Sequence, residues 1–178
     1  RQISKLYAYW ITRAYRDAYK IFATNGILFN HESPLRGETF VTKKITQFVA
    51  KEKLNKNKNQ VLKLGNLDAK RDWGHAEDYV KAMWKMMQHS KPDDYVIATG
   101  RSTSVRKFVE MCFKFIGINI KWVGKKLNEK GVDRSNGKIL VKIDKRFFRP
   151  NEVNHLRGDS KKARKILNWE HSIKLEKL

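Results

Sequence analysis

Cysteine and long apolar runs are scarce in this sequence. Its single cysteine, Cys112, lies in the apolar stretch 108–116, so we expect a buried core thiol in a reducing compartment rather than half of a disulfide. No apolar run approaches the roughly 20 residues that a helix needs to cross a bilayer. The N-terminus also lacks the basic, apolar and small-residue segments of a cleavable signal. We therefore expect a cytoplasmic protein without a membrane partner.

Acidic residues are also few: 18 Asp and Glu stand against 39 Lys and Arg, a formal net charge of +21. Such an excess attracts phosphates, and nucleic acid is the first partner to consider. The lysines are spread along the whole chain, however, and no helix-turn-helix reader, zinc knuckle or aromatic stacking platform accompanies them. We therefore predict no nucleic-acid partner, and keep a basic nucleic-acid-binding protein as the weaker of two alternatives.

The histidines do not predict a metal site. His75, His89, His155 and His171 are scattered without the spacing of metal ligands, and Cys112 has no second cysteine beside it. We expect no metal.

The sequence does contain enough apolar material for a domain with a core, with 40% hydrophobic and 11% aromatic residues. Residues 5–19 repeat apolar side chains at helical spacing, which predicts a helix with one buried stripe that includes Trp10. Residues 21–29 follow as an apolar run typical of a buried parallel strand. A helix followed so soon by such a strand is typical of a βαβ unit in progress, so the chain is expected to begin inside a domain.

Residues 31–40 are predicted to be irregular because Pro34 and Gly37 interrupt them. A loop after the C-terminal end of a strand is where α/β sheets bind ligands, so its polar side chains are candidates for a site. Beyond it, the spacing predicts helices over 40–53 and 75–88 and strands over 61–64 and 95–98. The second of these helices is expected to turn Val80, Met83, Trp84 and Met87 towards the core.

The last part of the chain predicts two further strands and two helices. The first helix is expected to be capped by Ser102, Thr103 or Ser104 and closed by Gly117. Strands are predicted over 118–123 and 139–143, around a connection rich in Lys, Asn and Gly over 124–138. Asp159 is the expected N-cap of a final helix through Leu167, and Trp169 is expected to complete the core.

Four long strings stand out, in one order along nearly the whole chain. They are KLYAYWI at 5–11, NGILFNHESP at 25–34 with RGETFVT at 36–42, LGNLD at 64–68 with RDWGH at 71–75, and FRP at 148–150 with EV at 152–153. Together they resemble the extended short-chain dehydrogenase/reductase superfamily and, within it, the GDP-mannose 4,6-dehydratases. The resemblance implies an α/β fold, the C-terminal part of an NAD(P)-binding Rossmann fold with a smaller α/β substrate-binding domain. Residues 1–40 would supply the last Rossmann helix and strand with the active-site loop, and residues 41–178 mainly the sugar-nucleotide-binding region.

Some family features do not occur in this sequence. The family opens with a strand and a GxxGxxG turn that receives the cofactor pyrophosphate, and it uses a Thr or Ser and a Glu upstream of a YxxxK motif. Alignment of that motif's lysine on Lys5 puts its catalytic tyrosine at Arg1. We therefore interpret the chain as a fragment that is inactive alone. The first alternative is an inactive truncated relative that serves as a binding or assembly module.

The resemblance implies that the full-length enzyme dehydrates GDP-mannose to GDP-4-keto-6-deoxymannose with bound NADP. Hydride leaves C4 of the mannose, water leaves across C5 and C6, and the hydride returns to C6. A base must take the C4 hydroxyl proton, and a nearby ammonium favours the phenolate of a tyrosine. Lys5 is the candidate for that ammonium and for holding the nicotinamide ribose. An arginine at position 1 stays protonated and cannot be the base.

By family position, His31 and Arg36 are expected to contact NADP, and Asn30 the substrate. The alternative for His31 is a loop histidine that caps backbone groups. The alternative for Arg36 is a subunit contact, because the resemblance suggests a homo-oligomer, a dimer or tetramer, with this loop near a neighbouring protomer.

The GDP end needs cations for two phosphates, and the planar fork of arginine suits phosphate oxygens better than the point charge of lysine. Arg71 is a candidate for such a phosphate contact, and the alternative for it is an ordinary ion pair with Asp72 or Asp78. Glu152 would serve the ribose or guanine, and Gly65 would allow a close backbone approach. The substrate-binding residues that the resemblance supplies on this side are Lys44, Gly65, Arg71, Arg149 and Glu152.

Overall fold

The computed structural model describes residues 2–57, 59–148 and 152–178. No helix in this part of the chain combines the length and the hydropathy needed to span a bilayer. The helices are α1 (Gln2–Tyr19), α2 (Val41–Lys53), α3 (Ala76–Gln88), α4 (Val105–Phe115) and α5 (Lys161–Leu167). The strands are β1 (Asn25–Leu28), β2 (Asn30–Glu32), β3 (Leu62–Leu64), β4 (Lys70–Arg71), β5 (Trp73–His75), β6 (Asp94–Ile97), β7 (Thr103–Ser104), β8 (Ile120–Val123), β9 (Lys130–Asp133) and β10 (Ile139–Ile143).

The predicted helices are confirmed to within a few residues, and their ends follow from local chemistry. Ser104 is the N-cap of α4, because its Oγ accepts a hydrogen bond of 3.1 Å from the Lys107 N–H. Gly117 follows α4 with φ +83°, a conformation in which glycine is least strained. The final helix begins at Lys161 and its N-cap is Ser160, so the prediction of Asp159 as N-cap is wrong by one residue. The Asp159 carboxylate nevertheless accepts from the Lys161 N–H at 2.9 Å.

Two segments predicted to be irregular contain strands. His31 and Glu32 belong to β2, which pairs in parallel with β5, so the irregular loop begins later than expected. The connection over 124–138 contains β9, which lies between β8 and β10. Its sequence is poor in strand-forming residues, and pairing on both sides overrides that propensity.

The chain forms two compact units, each built from separated segments. Unit 1 consists of Arg1–Ser33, Asp72–Arg101 and Arg157–Leu178, and unit 2 of Pro34–Arg71 and Ser102–Leu156. The division at residue 40 inferred from the sequence assigns functional regions, cofactor before and substrate after, and it stays a prediction.

Unit 1 contains two parallel strand pairs. β1 pairs with β6 from Asn25 opposite Asp94 to Leu28 opposite Ile97, and β2 pairs with β5. The helices α3 and α5 supply most of the remaining core. The buried cluster consists of Tyr79, Ala82, Met86, Tyr95, Ile97, Ala163, Leu167 and Trp169.

Unit 2 contains a four-stranded mixed sheet in the order β3, β10, β9, β8, in which β3 and β10 are parallel and the other pairs antiparallel. The short strands β4 and β7 form a separate antiparallel pair. The rings of Phe48 on α2 and Phe113 on α4 lie 6.3 Å apart, which fixes the two helices against each other. Cys112 on α4 is half-buried, and burial raises the pKa of its thiol to about 12.

Two expected core tryptophans lie on exposed helix faces. Trp10 on α1 is 55% exposed and Trp84 on α3 is 64% exposed, so both predictions are wrong, whereas burial of Trp169 is confirmed. Helix α3 is apolar on two sides, and helical spacing alone does not tell which side faces the core. The structure buries Tyr79, Ala82 and Met86 and leaves Val80, Met83, Trp84 and Met87 exposed.

Candidate functional site

In unit 1 the candidate residues Asn30 and His31 follow the carboxyl end of β1. Because β1 and β6 are parallel, their carboxyl ends lie at one edge, where ligands bind to open α/β sheets. Strand β2 continues the chain at this edge and sets Asn30 opposite Trp73 and His31 opposite Gly74. Both candidate side chains are half-buried.

His31 is oriented by its own backbone and by an aromatic ring. Its Nδ1 lies 2.9 Å from the carbonyl oxygen of Phe29, and its ring centroid lies 5.3 Å from that of Tyr79. A carbonyl oxygen only accepts, so Nδ1 carries the proton in this bond, and in neutral imidazole Nε2 is left as an acceptor. His31 therefore bonds the backbone and can still accept from a hydroxyl or amide of a ligand.

The position of Lys5 depends on the attachment of α1 to the two strands. At the other end of the helix, Arg16 donates to the Asp94 carboxylate at 2.8 and 3.2 Å, and Asn25 Nδ2 donates to the same carboxylate at 2.9 Å. Nearer the middle of α1, the Tyr9 carbonyl oxygen accepts a hydrogen bond of 3.4 Å from Asn25 Nδ2. Lys5 lies about one helical turn before Tyr9 and is exposed.

The Arg16–Asp94 contact makes the acid stability of unit 1 testable. Burial disfavours the charged form of Asp94, but the hydrogen bonds from Arg16 and Asn25 outweigh it and lower the pKa of the carboxyl to about 2. A carboxyl whose pKa is lower in the folded state than in the unfolded state stabilises the fold at pH values above its unfolded pKa of about 4. This stabilisation is lost as the pH falls towards 2.

We expect Asp94→Asn to lower the free energy of unfolding by about 2 kcal/mol at pH 7, and the deficit to shrink between pH 4 and pH 2. Urea denaturation at pH 7, 4 and 3 measures this difference. Asp17→Asn is the control, because the Asp17 side chain is 70% exposed and its contact with Arg16 is weak, with 3.8 Å between Oδ1 and Nε. A deficit of the same size at every pH would contradict the assigned role.

Asp72 is a structural residue that the sequence interpretation missed. It is fully buried, and its carboxylate accepts from the Thr99 N–H at 2.9 Å, the Thr99 hydroxyl at 2.6 Å, the Gly100 N–H at 3.0 Å and the Gly158 N–H at 3.1 Å. These bonds close the segment Asp72–Arg101 on itself and join it to Gly158 of the last segment of unit 1, just beyond the carboxyl end of β6. The signal available in the sequence was an acidic residue next to Trp73 within the RDWGH string.

In unit 2, Lys44 and Gly65 both lie against Phe147, the residue just before the FRP string at 148–150. The Lys44 Nζ donates to the carbonyl oxygen of Lys63 at 2.6 Å and lies 3.5 Å from the centroid of the Phe147 ring. A Cβ at Gly65 would lie 2.5 Å from the Phe147 carbonyl oxygen, so only glycine allows this approach. Burial lowers the pKa of Lys44. Arg149 lies outside the described residues.

Arg71 and Glu152 are in direct contact. Arg71 Nη2 lies 3.0 Å from Glu152 Oε1, and Arg71 Nη1 donates to the Val153 carbonyl oxygen at 2.6 Å. The predicted alternative, an ion pair of Arg71 with Asp72 or Asp78, is therefore not the one formed. The segment after Glu152 pairs with Lys70, whose N–H donates to the Asn154 carbonyl oxygen at 2.7 Å.

Asn66 connects the two clusters of unit 2. Its side-chain amide donates to Asn154 Oδ1 at 3.5 Å, and its own Oδ1 accepts from the Asp68 N–H at 3.0 Å. The chain from Gly65 to Arg71 thus runs beside residues 152–156. Four of the predicted substrate residues, Lys44, Gly65, Arg71 and Glu152, lie on segments that contact one another within unit 2.

Arg36 lies in unit 2, in the segment before α2. Its guanidinium carbon is 3.6 Å from the centroid of the Phe40 ring, a cation–π geometry that holds the half-buried side chain. Leu35 beside it is 94% exposed. Within the described residues, no group of three or more His, Cys, Asp or Glu is placed to hold a metal ion.

Solved structures share this fold. RMD from Pseudomonas aeruginosa, complexed with NADPH, matches with a TM-score of 0.77 at 16% identity, over 98% of this chain and 51% of that one. The dTDP-glucose 4,6-dehydratase of Bacillus anthracis, in complex with NAD, gives a TM-score of 0.70 at 16% identity, over 96% of this chain and 46% of that one. The chain therefore has the fold of these NADPH- and NAD-bound Rossmann-type structures, and the expected α/β fold class is confirmed.

The sequence comparisons identify the family within this class. The family model of GDP-mannose 4,6 dehydratase matches residues 2–178. GDP-mannose 4,6-dehydratase of Sinorhizobium fredii is 57% identical over 175 residues, 98% of this chain and 49% of the relative, and that of Homo sapiens is 54% identical over 175 residues, 98% and 46%. The chain belongs to the GDP-mannose 4,6-dehydratase family, and it spans about half the length of the curated relatives it matches.

Proposed function

We propose that this chain supplies the sugar-nucleotide-binding part of an NADP-dependent enzyme that dehydrates GDP-mannose to GDP-4-keto-6-deoxymannose. The observation that carries the proposal is the grouping of Lys44, Gly65, Arg71 and Glu152 in unit 2, in a chain that the family model matches from residue 2 to 178. A diphosphate needs cations fixed in place, and both cations here are held by carbonyl oxygens. Arg149 would add a third.

In this proposal Arg71 binds a phosphate while Glu152 orients it. The Arg71–Glu152 pair is about four-fifths buried on both sides, so the guanidinium is already fixed before a ligand arrives. Its planar fork has donors beyond those that bond Glu152 and the Val153 carbonyl. Glu152 would then accept hydrogen bonds from the ribose or guanine with its remaining lone pairs. Gly65, which has no side chain, would let the ligand approach the backbone closely.

The cofactor side of the proposal rests on Lys5, His31 and Arg36. His31 offers Nε2 as an acceptor, and Arg36 offers a cation held on the Phe40 ring. Both fit a dinucleotide that carries ribose hydroxyls and phosphates. Bound NADP would supply reversible hydride transfer, from C4 of the mannose and back to C6 after loss of water. Lys5 would hold the nicotinamide ribose and favour a phenolate, and Asn30 would hydrogen-bond the substrate.

In this proposal, turnover requires a further polypeptide region that supplies the catalytic base. Arg1 lies outside the described residues and as an arginine supplies no base. The apolar faces of α1 and α3 support this step: Tyr7, Trp10, Met83 and Trp84 are all exposed, an unusual amount of apolar surface for a small unit. The same faces favour the alternative of a binding or assembly module. We further propose a cytoplasmic homo-oligomer, a dimer or tetramer, for the complete enzyme.

GDP-mannose is expected to raise the melting temperature of the chain, and Arg71→Ala to reduce its affinity at least about tenfold, since one charged hydrogen bond is worth about 1.5–3 kcal/mol. Isothermal titration measures the affinity directly. Arg134→Ala is the matched control: it removes the same charge from exposed surface of unit 2.

A random DNA duplex and a salt series separate the competing functions. Steeply salt-dependent stabilisation by DNA, with none by GDP-mannose, would reject the dehydratase proposal in favour of nucleic-acid binding. Turnover is expected only when the chain is co-expressed with the first half of a complete relative. Binding of GDP-mannose without turnover in that complex would instead support the binding-module alternative.

A further inference from the structure

A concave site lies in unit 1, between α5 and the segment that leads into β6. It encloses about 540 Å³, within the range of small-molecule sites. Pro92 and Asp93, which line it, directly precede the first residue of β6. Asn30 and His31 follow the carboxyl end of the parallel strand β1, so this cavity is at the opposite end of the strand pair from these two candidate residues.

The cavity is strongly basic. Four lysines line it: Lys91, Lys161, Lys162 and Lys165. Lys162 Nζ lies 2.6 Å from Asp93 Oδ2, and Lys161 Nζ lies 3.6 Å from Asp159 Oδ2. Within the described part of the chain, the ammonium groups of Lys91 and Lys165 have no carboxylate within ion-pair distance. Four cations against two carboxylates leave a local excess of two positive charges, which favours an anionic ligand.

Tyr95 forms the inner wall and carries an unused donor. The residue is 1% exposed, and its buried hydroxyl has no hydrogen-bond partner among the described residues. Lys162 Nζ lies 5.1 Å from the centroid of its ring. Burial, with the negative charge of Asp93, raises the pKa of Tyr95, so the hydroxyl keeps its proton at neutral pH. An unpaired buried hydroxyl is destabilising, and an acceptor atom of a ligand would relieve that cost.

We propose that this cavity binds a small phosphomonoester, with its phosphate among Lys91, Lys162 and Lys165, an acceptor oxygen on the Tyr95 hydroxyl, and its organic group against Ile166 and Pro92. Lysine ammonium groups bind phosphate as point charges without a fixed fork geometry. The apolar wall distinguishes this ligand class from inorganic phosphate, which would use the lysines alone. None of the lining residues is among those assigned to GDP-mannose or NADP, so the test of this site does not depend on the proposed function.

Phenyl phosphate is the probe, titrated into the 178-residue chain and followed by amide chemical shifts in two-dimensional NMR. Saturable shifts are expected at Tyr95 and Lys165 and not at Arg71, with tighter binding than inorganic phosphate. Tyr95→Phe removes only the hydroxyl, which has no partner to lose, so the melting temperature should not fall. Its affinity for phenyl phosphate should drop about fivefold, the equivalent of one hydrogen bond of about 1 kcal/mol.

Lys165→Gln should weaken binding further, whereas Lys142→Gln, an exposed lysine of unit 2, should leave it unchanged. The proposal is overturned if wild-type protein shows no saturable shifts, or if Tyr95→Phe binds as tightly as wild type. It is also overturned if Lys142→Gln weakens binding as much as Lys165→Gln, since net charge alone would then explain the effect. Equal affinities for inorganic and phenyl phosphate would exclude the apolar wall from the site.

Discussion

Gly158→Ala is expected to destabilise unit 1 strongly. A Cβ at this position would stand 2.2 Å from the Ala98 Cβ and 3.0 Å from two carbons of the Phe29 ring. Ala98 is fully buried just after β6, so the neighbour cannot move without its backbone. Overpacking costs about 1–3 kcal/mol where side chains adapt and more where backbone must shift, so we expect a loss of at least about 3 kcal/mol.

Urea denaturation followed by near-ultraviolet circular dichroism measures the Gly158→Ala effect, since buried Trp169 and Tyr95 report on unit 1. Gly37→Ala is the matched control: its Cβ would meet the Phe40 ring at 3.4 Å, an ordinary contact, and Gly37 has no positive φ. If both variants unfolded at the same urea concentration as wild type, the packing described around Gly158 would be wrong.

The helices could be predicted from the sequence because their boundaries depend on neighbouring residues. Ser104 and Gly117 bracket α4 through bonds within a few positions, and spacing alone locates α3. Which face of α3 is buried could not be predicted, because both of its faces are apolar. Tyr79 and Met86 are buried only because β6 and α5 pack against that side, and Trp84 on the other face stays exposed.

The candidate site shows the same limit. The strings that carry the family resemblance singled out Arg71 and Glu152, which lie 81 positions apart and are in contact. Whether Arg71 would pair with Glu152 or with Asp72 could not be read from the sequence, since the nearer carboxylate is adjacent in the chain. Asp72 instead accepts four hydrogen bonds from Thr99, Gly100 and Gly158, contacts that only the tertiary fold creates.

Asp72→Ala is expected to be the most destabilising single change at a polar residue of unit 1. It leaves three backbone N–H groups and the Thr99 hydroxyl without their acceptor in a fully buried site. Each unsatisfied buried donor costs about 1–3 kcal/mol, so the loss should be at least about 4 kcal/mol. Chemical denaturation at pH 7 measures it, and Asp68→Asn, whose side chain is 79% exposed beside Arg106, should change stability by less than about 1 kcal/mol.

Asp72→Asn distinguishes hydrogen bonding from shape. Its amide would best face Thr99, whose hydroxyl can turn to accept, while the remaining oxygen still serves Gly100 and Gly158. The Thr99 N–H and the second hydrogen of the amide then lack acceptors, two donors against four in Asp72→Ala, so the loss of stability should be about half as large. Equal losses for the two variants would mean that the negative charge, rather than the number of acceptors, holds Thr99, Gly100 and Gly158 in place around residue 72.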